Sequence, residues 1–177
     1  MIVVRFGLLI AVMVAALFLI VAGRTVDTAD RVLGRTAATD PAAVIAKVKR
    51  KLGPDAELLD ITFTGNSGNV KYRDGDGAAG FLWGPGRDGL EPVNVTLIGE
   101  GRLADNVFPI ARLDPAAPAK LKAAAGFELH SMTLRIDPAT GRARWTVTGE
   151  EKGRARVFTA RSDASRLRPV GRYRPRI

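Results

Sequence analysis

Three hydrophobic rhythms follow one another along the chain. Residues 6–22 are apolar without a break, bounded by Arg5 and Arg24. A helical period comes next: Val44, Ile45, Val48 and Leu52 share one face, away from Lys47, Lys49, Arg50 and Lys51. Thr39 or Asp40 supplies a cap, Pro41 suits the first helical position, and Gly53-Pro54 stops the helix. Beyond it the period drops to two. Leu59, Ile61 and Phe63 alternate with Asp60, Thr62 and Thr64, and Val70 and Tyr72 alternate with Lys71 and Arg73. Phe81 with Trp83, then Val93, Val95 and Leu97, extend the series, with turn residues at 66–69, 74–77 and 84–86 between the runs. This order predicts a helix lying on a four-stranded antiparallel meander.

The same order then returns. Asp114-Pro115-Ala116-Ala117 restates Asp40-Pro41-Ala42-Ala43 and opens a shorter helix that carries Leu121 and stops at Gly126. Glu128-Leu129 restates Glu57-Leu58, Thr133 restates Thr62, and Trp145 stands in the place of Tyr72. Phe158, Leu167, Pro169 and Val170 match Phe81, Leu90, Pro92 and Val93 at a constant offset of 77. Shared order with shared local pattern reads as an internal duplication. The predicted fold is therefore α+β: an N-terminal transmembrane helix, then two repeats in which a helix packs on a four-stranded antiparallel meander. The boundaries expected are an anchor or signal over 1–23, a linker over 24–38, repeats over 39–99 and 100–170, and an Arg-rich tail over 171–177.

Residues 6–22 would reach roughly 25 Å as a helix, near the lower limit for crossing a bilayer. An uncleaved single-pass anchor and a secretory signal both fit, the latter with Val21-Ala22-Gly23 as its small-residue cleavage site. A literal count of Arg24, Arg31 and Arg35 beyond the segment would hold the domain in the cytoplasm.

Composition narrows the chemistry. With no cysteine there is no disulfide framework, no thiolate metal site, no cysteine nucleophile and no bacterial lipoprotein anchor. The formal net charge of +9 attracts anionic lipid, acidic wall polymers or nucleic acid, the last being the least expected here. Arg161, Arg166, Arg168, Arg172, Arg174 and Arg176 are opposed only by Asp163 and form the candidate polyanion contact, alternatively a plain solvated run. His130 is the lone histidine and falls, by alternation, on the face of Met132, Leu134 and Ile136, which reads as packing and not as a metal or acid–base group. Asp74-Gly75-Asp76-Gly77 begins like a calcium loop but lacks the closing glutamate, so it reads as a hairpin turn. No serine carries an elbow motif and no glycine-rich phosphate loop occurs. Ser131 beside His130 is the one local pair a hydrolase could use. The expectation is a protein that is not an enzyme and takes no cofactor.

The capped helix over 114–125, the strand over 127–136, the Asp-Pro-Ala-Thr-Gly hairpin at 137–141 and the strand around Trp145 resemble the PepSY and PepSY-like domains of bacterial envelope proteins. They are also similar to the paired units of β-lactamase-inhibitor-protein folds. The resemblance implies an extracytoplasmic, non-enzymatic module that restrains a protease or contacts another envelope protein, held at the cell membrane or secreted if cleaved after Gly23. It supplies no catalytic residues, and it favours export over the literal charge count. Two other functions fit the sequence: a structural single-pass subunit of an envelope or secretion assembly, and anionic lipid or wall-polymer attachment through the Arg-rich run.

Overall fold

The computed structural model describes residues 40–96 and 102–170. The apolar segment, the linker, residues 97–101, and Arg172, Arg174 and Arg176 of the tail lie outside the described residues. Among those described, no helix is long and apolar enough to cross a membrane.

Helix α1 spans Pro41–Leu52. Asp40 is its cap: the carboxylate accepts a hydrogen bond from the Ala42 N–H at 3.0 Å, satisfying one of the donors a helix start leaves free. Gly53, at φ 85°, ends it just past Lys49, Arg50 and Lys51, whose charge suits the carbonyl end of the helix. Val44, Ile45 and Val48 are its buried side chains. Strands β1 (Glu57–Thr64), β2 (Ser67–Asp74), β3 (Gly77–Trp83) and β4 (Glu91–Asn94) follow as a meander. The connection then makes two short 3-10 turns around β5 (Phe108–Pro109). Helix α2 spans Ala117–Ala125, preceded by Asp114, which accepts from the Ala116 N–H at 2.9 Å. Strands β6 (Glu128–Asp137), β7 (Arg142–Glu151), β8 (Arg154–Arg161) and β9 (Arg168–Pro169) complete the chain.

Two separate helix-on-sheet units, as expected from the sequence, are not what forms. The strands make one nine-stranded sheet in the order β4-β3-β2-β1-β6-β7-β8-β9, with β5 also on β1, and every pairing is antiparallel. Strand dominates, with two α-helices among the described residues. The cause is the edge problem. Standing alone, each meander would leave the unpaired backbone groups of β1 or β6 exposed; pairing β1 with β6 removes both edges at once. Alternation within a strand does not say which neighbour it takes, so the junction is invisible in the hydrophobic pattern.

The register places Thr62 opposite Thr133, and their hydroxyls hydrogen-bond at 3.0 Å. Strand order is symmetric about this pair. Its irregularities are symmetric too: one lies between Leu58 and Asp60, the other between Leu129 and Ser131. The extra residue in each place shifts the inward set. Leu58, not Leu59, is buried beside Ile61 and Phe63 in β1, and His130 is exposed instead of facing inward with Met132. The equivalence of Trp145 with Tyr72 also fails. Leu58 pairs with Tyr72 and Leu129 with Gly149, so Gly149 is the counterpart of Tyr72, and Trp145 that of Gly68.

One hydrophobic cluster lies under both helices. It joins Ile45 and Val48 of α1 and Leu121 of α2 to Ile61, Val70, Leu134, Trp145 and Val147 of the sheet. Phe63 sits between the two tryptophans, 5.4 Å from the Trp83 ring centroid and 6.4 Å from that of Trp145. Because antiparallel partners share a face, all these strand residues lie on one side of the sheet. The other side contributes no side chain to the cluster.

Candidate functional site

That uncovered side is built in rows. Thr62, Thr133, Thr146 and Thr159 stand opposite one another across β1, β6, β7 and β8. One step along the strands, Asp60, Arg135, Arg144 and Arg161 form a second row, with Lys71 beyond Asp60. On the other flank lie Thr64, Ser131, Thr148 and Val157, where the Ser131 and Thr148 hydroxyls are 2.7 Å apart. Local alternation explains the two central arginines: Arg135 sits between the buried Leu134 and Ile136, and Arg144 between the buried Ala143 and Trp145.

Charge is unevenly spent along the arginine row. Lys71 bonds the Asp60 carboxylate at 2.9 Å, and Arg144 Nε lies 3.5 Å from Asp137 Oδ2. Asp137 is held below the usual carboxylate range, chiefly by the Thr140 hydroxyl and the Ala139 N–H, then by Arg144 and Arg135. Arg135, Arg142, Arg161 and Arg168 make no ion pair with any described residue. A hollow of about 130 Å³ lies in this face, lined by Arg135, Asp137, Pro138, Arg144, Thr146 and Thr159. It shares Arg144 with a wider cleft of about 670 Å³ that also takes in Arg112, Asp114, Arg142, Arg161 and Asp163. A separate groove of about 450 Å³ lies against the helices, between Pro41, Pro118, Phe63, Phe127 and His130.

Of the six arginines singled out in the sequence, three are described. Arg161 ends β8 in the arginine row, and Arg168 on β9 stands opposite Thr159, so both belong to the uncovered face. Arg166 lies in the loop between those strands, at φ 57°. Sequence reasoning missed Arg135 and Arg144. Their alternation with apolar neighbours marks them as outward-facing, but only the pairing of three strands sets them beside Arg161. The Ser131–His130 pair is not assembled: no hydrogen bond joins them, and Ser131 is engaged with Thr148. Asp74 and Gly77 close the β2–β3 hairpin.

No protein-family model and no curated protein matches the sequence. Among solved structures, a protein described as a "putative lipoprotein" from Clostridium difficile 630 is similar at 13% identity and a TM-score of 0.49, over 76% of this chain and 93% of that one. Likeness at that level transfers neither ligand nor activity.

Proposed function

We propose that this protein is a non-catalytic binding module of the cell envelope, tethered to the membrane through residues 6–22, that engages an envelope component with the uncovered face of its sheet. One observation carries the reading. Both helices pack on the same hydrophobic cluster, so the opposite face, lined with hydroxyls and guanidinium groups, has no cover among the described residues. A sheet that needed only to be stable would fill that face with exposed charge pairs; unpaired arginines beside a hollow suit recognition better. The helix-then-meander order in each half supports the PepSY-like reading, in which such modules act by contact.

The test uses the full-length chain in its native membranes. A photo-crosslinking amino acid in place of Val157, exposed on the uncovered face, should give a discrete adduct. The same group in place of Ala123, exposed on α2, should not. An adduct from Ala123 alone would place the working surface on the helical side and refute the reading. A reporter fused at the C-terminus should be active only outside the cytoplasm.

A further inference from the structure

The arginine row breaks a rule that its neighbours keep. Like charges directly opposite on adjacent strands destabilise a sheet. Where Asp60 meets Lys71, and where Thr62 meets Thr133, the partners are complementary and bonded. Arg135, Arg144 and Arg161 instead stand side by side on β6, β7 and β8, and only Arg144 is within ion-pair distance of a carboxylate, although Asp60 stands opposite Arg135 and Asp163 lies near Arg161. The other like-charged pair among the described strands is Glu128 opposite Glu150, at the far end of β6 and β7 and away from the hollow. Sites where a chain departs from its own packing logic are where an absent partner is expected to complete the charge.

Three features say what that partner is. The 130 Å³ hollow beside Arg135 and Arg144 has room for one tetrahedral oxyanion, and the Thr146 and Thr159 side chains line it as hydroxyl donors. Guanidinium forks match the paired oxygens of a phosphate bidentately. Secondly, two exposed valines stand on the same face. Val157 is 41% and Val170 49% exposed, and the Val170 N–H bonds the Val157 carbonyl beside the Arg168 strand. Apolar side chains rimmed by arginine suit a headgroup layer, where the apolar group enters and the cation stays with phosphate. Thirdly, with residues 6–22 in the membrane as proposed, residues 24–39 can span at most about 55 Å, which keeps the domain within reach of the bilayer.

We infer that the row of Arg135, Arg144 and Arg161, with Thr146 and Thr159, receives the phosphate groups of anionic phospholipids, laying the uncovered face against the membrane. This rests on the proposal that the face is the working surface. It also specifies the envelope component as lipid. Asp60 closes the row on the β1 side, and Asp137 lines the hollow beside Arg144, so the phosphate must be met by Arg135, Arg144 and the Thr146 and Thr159 side of the hollow.

The experiment places the full-length chain, with the photo-crosslinking group at position 157, in nanodiscs of phosphatidylcholine alone or mixed with phosphatidylglycerol. Lipid adducts are then counted by mass spectrometry. Adducts should rise by about tenfold with phosphatidylglycerol. Replacing the row (R135Q, R144Q and R161Q together) should remove that rise, whereas R50Q, R102Q and R154Q, which lower the net charge of +9 by the same three units, should leave it. Equal adducts in both discs, or equal loss in both triple variants, would overturn a specific site in favour of general basicity. Full competition by low-millimolar inorganic phosphate would assign the row to a small soluble anion and likewise overturn the lipid assignment. The lipid comparison needs no variant, so it stands even where a substitution harms folding. An adduct at position 157 to a protein, and not to lipid, would sink this inference while sparing the binding-module reading; no adduct of either kind would sink both.

Discussion

Residues 40–94 and 114–170 solve the same packing problem twice and then part company on the surface. Inside, the correspondence is close. Phe81 pairs with Pro92 as Phe158 pairs with Pro169, and Val70 opposite Ile61 has its counterpart in Val147 opposite Met132. Where the two differ, bulk is exchanged between neighbours. The first half sets Trp83 on β3 opposite Gly68 on β2, and the second sets Trp145 on β7 opposite Ala160 on β8. One large and one small residue fill the layer in both cases, in swapped order. Outside, the halves share little. Residues 40–96 carry seven basic and eight acidic side chains, whereas residues 102–170 carry thirteen and seven. The core is constrained by volume and has stayed alike; the uncovered face is not, and the charge has gathered on one half. That asymmetry is what points to a binding surface on β6, β7 and β8.

The sharpest way to probe the exchange of bulk is to remove each tryptophan. Trp145 is fully buried and its indole N–H donates to the Ser162 carbonyl at 3.0 Å, while Trp83 is 4% exposed. Trp145→Ala should cost about 3–5 kcal/mol, with the lost hydrogen bond adding to the cavity. Trp83→Ala should cost less, and denaturant midpoints at matched slopes would rank them. The reverse ranking would mean that the first half, not the second, anchors the shared core. Gly68→Ala comes next. A methyl group there would run into the Thr62 carbonyl and the Trp83 ring, so overpacking should cost about 1–3 kcal/mol. Alanine at Gly77, where a methyl group meets nothing nearer than 3.7 Å, should be far milder.

Local features were readable from the sequence and relational ones were not. The helix over Pro41–Leu52 follows from its cap, its proline and its glycine stop, all of which act within a few residues. The identity of Thr62 with Thr133 could be seen as a repeat match, but not that the two would meet. Two aligned residues touch only if the repeats pair antiparallel through that position, and nothing in either strand encodes the neighbour. The bulge at His130 escaped for a related reason: one inserted residue reverses the alternation on which an inward assignment depends. The arginine row was missed because register, not composition, assembles it, and the Arg-rich run drew attention to the end of the chain instead.

Thr62 and Thr133 test the junction directly. Each hydroxyl is half-buried and finds the other at 3.0 Å. Thr62→Val alone leaves Thr133 without that partner and should cost about 1 kcal/mol. The double change, Thr62→Val with Thr133→Val, should cost less than the sum of the two singles, since β-branched valines keep the shape and remove both hydroxyls at once, leaving neither without a partner. Strict additivity in a double-mutant cycle would show that the hydroxyl pair contributes nothing to holding the halves together.

The smallest expected effect is also the one that separates the halves by pH. Asp114, Asp137 and Asp163 all lie in the second half, and each has its carboxyl pKa lowered by hydrogen bonds. The chief donors are Lys120 for Asp114, the Thr140 hydroxyl for Asp137 and Ser165 for Asp163. A carboxylate whose folded pKa lies below its unfolded value stabilises the fold above the unfolded pKa, near 3.8, and loses that contribution as pH falls through the folded one. Acidification from about pH 5 downward should therefore loosen the turns at 137–141 and 161–165 before the β1–β2 hairpin. Amide exchange across this range would report it as earlier loss of protection at Thr140, Gly141 and Ala164, whose N–H groups close those turns. Asp137→Asn keeps the turn's acceptor but removes its titration, so it should flatten the pH dependence at Gly141 and leave that at Ala164 unchanged. Simultaneous loss of protection in both halves would mean that the single sheet opens as one cooperative unit, in which case the junction at Thr62 and Thr133 is strong enough to override the difference between its two sides.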